Sequence, residues 1–259
     1  MKPLPPPSRQ IALSDGGVWA IAEETPVEIG FNGRAWTVMM ASPADIEDLA
    51  VGLALTEGLI EEAGIIEAVE VKTWPEGVTV DIALPEDSMS QTPRRRALDG
   101  RTGCGLCGVE RLADLHRAPE ATGQHVEITE QSARRALAEL SGHQPLNAAT
   151  RSVHAAAWCA QDGEILLSRE DVGRHNALDK LAGALARQGR IGEAGFVLMS
   201  SRCSYELVFK AARIGASALA TISAPTGLAL DLAEAYGLRL FARGPQGAAV
   251  SFKSREQAA

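Results

Sequence analysis

The stretch that decides the fold begins Phe196-Val197-Leu198-Met199-Ser200 and continues through residues 205–214 to residues 218–223. Its two ends are short apolar runs of the kind found in buried strands. Between them, apolar residues recur at the spacing of an amphipathic helix. Strand, helix and strand in succession predict a parallel sheet with helices packed on it.

The same alternation continues on both sides of this stretch. Strands are predicted at 153–159 and 165–168 with a helix at 176–188, and a further helix and strand at 228–235 and 238–242. From about residue 144 we therefore expect a largely parallel sheet covered by helices on both faces. Ligands of such sheets bind beyond the carboxyl ends of the strands.

The N-terminal part has a different pattern, of hairpins and one helix. Asn32-Gly33 is a strong hairpin signal, and Ser42-Pro43 followed by acidic residues predicts a helix that Gly58 ends. The predicted organisation is α/β, with a smaller α+β domain first. Its segments are a disordered proline-rich tail (1–12), an α+β domain (13–84), a mobile linker (85–143) and the α/β domain (144–259). Short helices are predicted within the linker segment at 109–117 and 129–140.

Composition excludes several functions. The formal net charge of −8 and only 4% aromatic residues argue against nucleic-acid binding. No apolar run reaches the ~18 residues of a membrane helix, and no signal peptide is evident. Four cysteines in 259 residues do not form a disulfide framework, so we expect a cytoplasmic protein.

Two of the cysteines form the candidate catalytic site, in the stretch Arg101-Thr-Gly-Cys104-Gly-Leu-Cys107-Gly108. Glycines on either side leave both sulfurs open to a partner. The arginines at 94, 95, 96 and 101 would favour the thiolate, which is the reactive form. We therefore favour a sulfur-handling nucleophile, and expect no metal. The alternatives are half of a zinc site, which lacks a second pair, and a thioredoxin-type dithiol, which lacks the usual strand–helix placement.

Polar residues at predicted strand ends form a candidate ligand site. One group is Arg174, His175 and Asn176, within a charged segment between a strand and a helix. The others are Ser200, Ser223 and Thr226, which precede helices and could either bind phosphate or simply cap those helices. Their mixture of charges, hydroxyls and amides suits a phosphorylated ligand.

Taken together, three segments resemble the formate dehydrogenase accessory sulfurtransferase family (FdhD). They are Thr102-Gly-Cys-Gly-Leu-Cys-Gly108, Glu170-Asp-Val-Gly-Arg-His-Asn-Ala-Leu-Asp-Lys180 and Ser223-Ala-Pro-Thr226. Val38-Met-Met40 and Leu55-Thr-Glu-Gly58 also fit, so the likeness runs over nearly the whole chain.

The resemblance implies an enzyme that accepts persulfide sulfur on Cys104 from a cysteine desulfurase. It would pass that sulfur to the bis(molybdopterin guanine dinucleotide) molybdenum cofactor used by formate dehydrogenase, with Cys107 assisting. The resemblance also implies a homodimer, a cytidine-deaminase-like three-layer α/β/α domain and binding of a guanine nucleotide such as GDP as a mimic of the cofactor. A further cofactor-contacting stretch corresponds to Phe241, Ala242, Arg243, Gly244, Pro245 and Gln246.

Two other functions share parts of this pattern. A chaperone that holds the cofactor without passing sulfur would need the ligand site but no reactive thiol. A dithiol oxidoreductase would form a reversible Cys104–Cys107 disulfide and bind no cofactor.

Overall fold

A computed structural model describes residues 3–86 and 125–252. The elements are, in chain order, β1 (Ser8–Ala12), β2 (Val18–Ala22), β3 (Thr25–Phe31), β4 (Arg34–Ala41), α1 (Ile46–Thr56), β5 (Ala68–Trp74), β6 (Gly77–Ala83), α2 (Glu130–Glu139), α3 (Pro145–Thr150), β7 (His154–Cys159), β8 (Ile165–Asp171), α4 (Arg174–Arg187), β9 (Phe196–Met199), α5 (Tyr205–Arg213), β10 (Ala218–Thr221), α6 (Gly227–Ala235), β11 (Arg239–Arg243) and β12 (Ala249–Ser251). Short 3₁₀ turns occur at Ala63–Ile65, Leu140–His143 and Pro245–Gly247. No helix in the described ranges is long and apolar enough to cross a membrane.

The chain divides into two compact units. The first comprises Met1–Asp99, Gln144–His154 and Arg169–Gly189, and the second comprises Gly100–His143, Ala155–Ser168 and Arg190–Ala259. This division differs from the segments expected from sequence, because the helix at 174–187 groups with the N-terminal elements. A helix packs with whatever its apolar stripe contacts, and that partner can lie far away along the chain.

The first unit contains a four-stranded sheet in the order β4-β3-β6-β5. Strands β3 and β6 are parallel, and the two outer pairs are antiparallel. The predicted hairpin at Asn32-Gly33 is confirmed: both residues have positive φ, at 48° and 73°, as a tight two-residue turn requires. Helix α1 ends as the sequence predicted, and Gly58 follows it at φ 71°. Its start differs from the prediction, because the helix begins at Ile46 after Asp45, without a side-chain cap, and not at Ser42-Pro43.

Helix α1 packs between this sheet and α4. Its buried residues share one hydrophobic core with the inner face of the sheet, including Ile29, Val80 and Ile82. On its other side α1 meets α4 at Gly52 and Gly183. A Cβ atom on Gly52 would lie only 2.6 Å from the amide nitrogen of Gly183. The two helix backbones can therefore approach this closely only because both positions are glycine.

The second unit contains a six-stranded sheet in the order β12-β11-β10-β9-β7-β8. The expected largely parallel sheet is only partly found. Strands β9, β10 and β11 are parallel, but β7 pairs antiparallel with β9, and β12 antiparallel with β11. The difference arises because β7 and β8 form a hairpin through Gly163, so no crossover helix separates them.

Helices cover this sheet. Residues of α2 share a core with alternate residues of the strands, such as Ala157, Leu198 and Ala220. Helices α5 and α6 contact each other and the strands β10 and β11. The predicted helix at 129–140 is confirmed as α2, and the Thr129 side chain caps it by accepting from the amide of Ser132 at 3.1 Å.

Other elements were not expected. Residues Ser8–Ala12, placed by sequence in a disordered tail, form β1 and pair with β2. Helix α3 and strand β12 are too short for a periodic pattern to reveal them. The predicted helix at 109–117 lies outside the described residues.

We predict that Gly183→Ala destabilises the first unit, because the added Cβ would collide with the backbone carbonyl of Asp48. Overpacking of this kind costs ~1–3 kcal/mol or more. Urea unfolding followed by far-UV circular dichroism would measure the cost. Gly64→Ala is the matched control, since nothing lies within 4 Å of its Cβ position. Equal unfolding midpoints for both variants would contradict the close helix crossing.

Candidate functional site

The carboxyl ends of three parallel strands meet at one edge of the six-stranded sheet. Thr221 of β10 lies beside Met199 of β9 and Ala242 of β11 in the strand register. Ser200 follows Met199 directly, and Arg243 follows Ala242. The structure therefore brings the predicted residues Ser200, Ser223 and 243–246 to the same edge of the sheet.

Ser200 is held by two contacts with one residue. Its hydroxyl oxygen accepts the Ala155 amide at 2.7 Å, and its own amide donates to the Ala155 carbonyl at 2.9 Å. A hydroxyl that accepts from the backbone still has a hydrogen to donate. Ser200 can thus offer one oriented O–H donor at the sheet edge.

The second strand end combines a cap with a turn. The Thr226 side-chain oxygen accepts from the amide of Ala229 at 3.3 Å, which is the ordinary N-cap arrangement for α6. The Thr226 amide donates to the carbonyl of Cys203 at 3.0 Å. The carbonyl of Ser223 accepts from the hydroxyl of Thr221 at 2.6 Å. These bonds fix the loop, and the Ser223 side chain stays half-buried at its surface.

The stretch 241–246 divides into a buried and an exposed part. Phe241 is buried beneath the Arg239 guanidinium, 5.3 Å from the ring centre, and Ala242 is also buried. The Arg243 guanidinium donates to the carbonyl of Leu137 at 2.5 Å. The exposed residues of this stretch are Arg243, Pro245 and Gln246.

The turn depends on Gly244. Its amide donates to the carbonyl of Ala248 at 2.7 Å. A Cβ at this position would lie 2.7 Å from a methyl carbon of Val250, so glycine lets β11 approach β12. Gln246 adopts a left-handed conformation, φ 59°, at the tip of the turn.

The remaining predicted ligand residues lie in the first unit, in the first turn of α4. Arg174 and His175 are half-buried. Asn176 is also half-buried, and its side-chain amide donates to the Met40 carbonyl at 2.8 Å and to the Asp171 carboxylate at 3.0 Å. Both amide hydrogens of Asn176 are therefore bonded within the protein, and these bonds hold the start of α4 in place.

A fully buried ion pair underlies that segment and was missed from the sequence. The Lys180 ammonium lies 2.6 Å from the Asp171 carboxylate, and both side chains have no exposed surface. The ammonium also donates to the Ser42 carbonyl at 2.9 Å. The Asp171 carboxylate accepts the amides of Ser42 at 2.9 Å and Gly173 at 2.8 Å. One signal could have revealed it: Lys180 interrupts the apolar stripe of α4, where an unpaired lysine would be costly.

A second charged network joins α1, α4 and β8. The buried carboxylate of Asp48 accepts from Arg169 at 2.8 Å and from Arg187 at 2.6 Å. Arg187 also contacts Glu47 at 2.5 Å. Nearby, burial raises the pKa of Glu170, although its carboxylate accepts the amides of Leu146 and Asn147 at the start of α3.

The predicted catalytic cysteines, Cys104 and Cys107, lie outside the described residues, as do the arginines before them. The other two cysteines are described and buried. Burial raises the pKa of Cys203 to about 12, and it also raises the pKa of Cys159. Neither thiol is therefore suited to nucleophilic chemistry near neutral pH. Within residues 3–86 and 125–252, no three His, Cys, Asp or Glu side chains cluster as a metal site would need.

With three sheets in its described residues and polar groups at one sheet edge, the molecule is a mixed α/β protein with a candidate ligand site at strand ends. Comparison with known sequences identifies the family to which the chain belongs. The chain belongs to the FdhD/NarQ family, whose model matches residues 22–257.

Named relatives are similar over most of their length. The sulfur carrier protein FdhD of Chromobacterium violaceum is 49% identical over 224 residues, which are 85% of this chain and 83% of the relative. That of Cupriavidus necator is 46% identical over 221 residues, covering 85% of this chain and 77% of the relative. A crystal structure from Desulfotalea psychrophila, described as a formate dehydrogenase accessory protein, matches with a TM-score of 0.69 at 23% identity and 96% coverage of both chains. This last likeness shows a shared fold.

We predict that replacing Lys180 with methionine destabilises the first unit strongly, since Asp171 would remain buried without its counter-ion. Breaking a buried pair in this way costs ~3–5 kcal/mol. Lys72→Met is the matched control, because Lys72 pairs with Glu70 at an exposed site. There the loss should be ~0–1 kcal/mol. Comparable urea midpoints for the two variants would show that the buried pair contributes little.

We also predict that Cys159 and Cys203 resist alkylation in the native protein. Iodoacetamide reacts with thiolates, and burial suppresses both access and ionisation at these positions. Peptide mass spectrometry after labelling at mildly alkaline pH would measure the modification of each cysteine. Labelling in denaturant is the control and should modify all four. Native labelling of Cys203 at its denatured rate would refute its inert character.

Proposed function

We propose that this protein is a sulfur carrier that serves formate dehydrogenase. The observation that carries the proposal is the pair of curated relatives named as sulfur carriers, at 46–49% identity over most of both chains. The chain's own residues support it. The glycine-framed Cys104 and Cys107 remain as its candidate reactive thiols, because burial disfavours the thiolates of Cys159 and Cys203.

The proposed chemistry is sulfur transfer through a persulfide on Cys104. The Cys104 thiolate attacks the outer sulfur of a persulfide on a cysteine desulfurase. A new sulfur–sulfur bond forms, the old one breaks, and the desulfurase cysteine leaves as a thiolate. Cys107 then assists delivery of the sulfur, or displaces it as hydrosulfide by forming a disulfide with Cys104. Arginines 94–96 and 101 would favour the attacking thiolate by their charge.

The proposed acceptor is the bis(molybdopterin guanine dinucleotide) molybdenum cofactor, bound as substrate. Ligands of parallel strands bind beyond the carboxyl ends, which is where Ser200, Ser223 and the exposed turn at 245–246 lie. The Ser200 hydroxyl and the polar groups of the turn can donate to phosphate or guanine. Arg174 and His175 form a separate set of candidate ligand residues within the first unit. A guanine nucleotide such as GDP would serve as a simpler probe.

We further propose that the second unit has a cytidine-deaminase-like three-layer α/β/α arrangement. Its parallel β9, β10 and β11 support this, as does the core that α2 forms with alternate strand residues while α5 and α6 contact β10 and β11. A homodimer acting in the cytoplasm completes the proposal. The homodimer and the cytoplasmic location both rest on the resemblance to the family.

The decisive prediction concerns sulfur on Cys104. Incubation with a cysteine desulfurase and cysteine should add one sulfur atom to the peptide that contains Cys104, measured by intact and peptide mass. Cys104→Ala should abolish the added mass and the maturation of formate dehydrogenase. Cys107→Ala is the matched control and should still accept sulfur on Cys104.

Two results would count against the proposal. Full maturation of formate dehydrogenase by the Cys104→Ala variant would remove the role of this cysteine. Failure of the wild type to gain sulfur, with guanine nucleotide still bound, would indicate a protein that holds the cofactor without passing sulfur.

A further inference from the structure

Strands β1 and β2 form a sheet of only two strands. Such a ribbon is marginally stable in water, and stable sheets have three or more strands or a packed face. Here much apolar surface is exposed: Val18 retains 67% of its accessible surface, Trp19 40% and Ile21 41%. The ribbon therefore has apolar surface that a further strand could cover.

The hydrogen bonds of the ribbon show which backbone groups point outward. The Leu13 amide donates to Gly17 and the Glu23 amide to Pro7, at the two ends of the ladder. With the register of the strands, these bonds direct the N–H and C=O of Trp19 and Ile21 toward β1. The alternating residues Val18, Ala20 and Ala22 direct theirs away from β1. Within residues 3–86 and 125–252, no hydrogen bond occupies these outward groups.

The two edges of the ribbon differ in character. Edge strands are usually protected from pairing by charged residues or proline. The β1 edge has such protection, with Arg9, Gln10 and the prolines at 5, 6 and 7 just before it. Strand β2 is Val18-Trp-Ala-Ile-Ala22 and has no charged or polar side chain. The β2 edge is thus suited to pairing.

Helix α3 lies against β2 but forms no backbone hydrogen bond with the outward groups of Val18, Ala20 and Ala22. The Trp19 indole N–H donates to the Thr150 carbonyl of α3 at 3.4 Å. The Arg151 guanidinium lies 5.9 Å from the centre of the Trp19 ring. These contacts fix the orientation of the indole while a large part of its surface remains exposed.

We propose that β2 pairs antiparallel with β2 of a second copy of this chain, about a twofold axis through Ala20. This inference deepens the proposed homodimer and rests on that part of the proposed function. In this register Ala20 lies opposite the partner's Ala20, and Trp19 lies opposite the partner's Ile21. Pairs of an aromatic and a β-branched residue are favourable across strands.

The apolar sequence of β2 favours a second copy of this chain as the partner that pairs with its edge. The strand matches itself under the twofold axis: each large apolar residue meets an apolar residue, and no charge meets another charge. An interface of this kind uses the same surface on both subunits and closes as a dimer. The result is a four-stranded sheet across the two subunits, in which the outward groups of Val18, Ala20 and Ala22 are paired.

The test compares proline on the two edges. Ala20→Pro removes an outward amide of β2, and Gln10→Pro removes an outward amide of β1. Sedimentation or light scattering would give the molar mass of each protein across a concentration series. We expect dimerisation at least ~10-fold weaker for Ala20→Pro, with Gln10→Pro like the wild type. A monomeric wild type, or a dimer equally weakened by both variants, would overturn the proposal.

A cross-link tests the register without relying on proline. Ala20→Cys, in a chain that also has Cys104→Ser and Cys107→Ser, should form an intersubunit disulfide under mild oxidation, because paired strands bring opposite Cα atoms within bonding range. Gln10→Cys in the same background should not. A dimer that resists Ala20→Pro and gives no Ala20→Cys cross-link would place the interface elsewhere.

Sulfur loading separates this inference from the proposed function. If Ala20→Pro is monomeric but its Cys104 still gains sulfur from the desulfurase, the interface is supported and the sulfur carrier is retained. If wild-type Cys104 gains no sulfur while Ala20→Cys cross-links, only the sulfur-carrier proposal fails.

Discussion

The buried pair of Lys180 and Asp171 is the interaction on which the first unit depends. Two opposite charges without solvent contact are stable only if each has further polar partners. Those partners are backbone groups of Ser42 and Gly173, with the Asn176 amide on the same carboxylate. The pair therefore determines how the loop before α1 and the loop before α4 sit against each other.

The glycine crossing and the ion pair support one another. Gly52 and Gly183 bring the axes of α1 and α4 close together, so that the loops at the starts of both helices also come close. The Arg169–Asp48–Arg187 network lies at the same junction and neutralises a second buried carboxylate. Close backbone approach and charge pairing thus have a single outcome, which is a fixed position for Arg174 and His175 at the first turn of α4.

Sequence reasoning succeeded where the deciding forces are local. The turn at Asn32-Gly33 and the end of α1 at Gly58 follow from backbone preferences that a few residues express by themselves. It failed where distant residues decide. No residue near Ser8 indicates that it will pair with Ala22. The contacts of Lys180 with Asp171 and Ser42 form only once α1 and α4 have packed together. For the site, sequence placed Ser200 and Ser223 at strand ends, but not the internal role of Asn176.

Burial of Cys159 and Cys203 prevents these two thiols from reacting with sulfur donors. Burial raises the pKa of Cys203 to about 12, so its thiol stays protonated near neutral pH. Persulfides, oxidants and disulfides exchange through thiolates, so both positions are nearly silent toward a reactive sulfur donor. The two buried thiols can therefore pack in the hydrophobic interior without reacting with sulfur that is delivered to the protein surface. A protein with this arrangement can meet persulfides repeatedly without forming disulfides in its hydrophobic core.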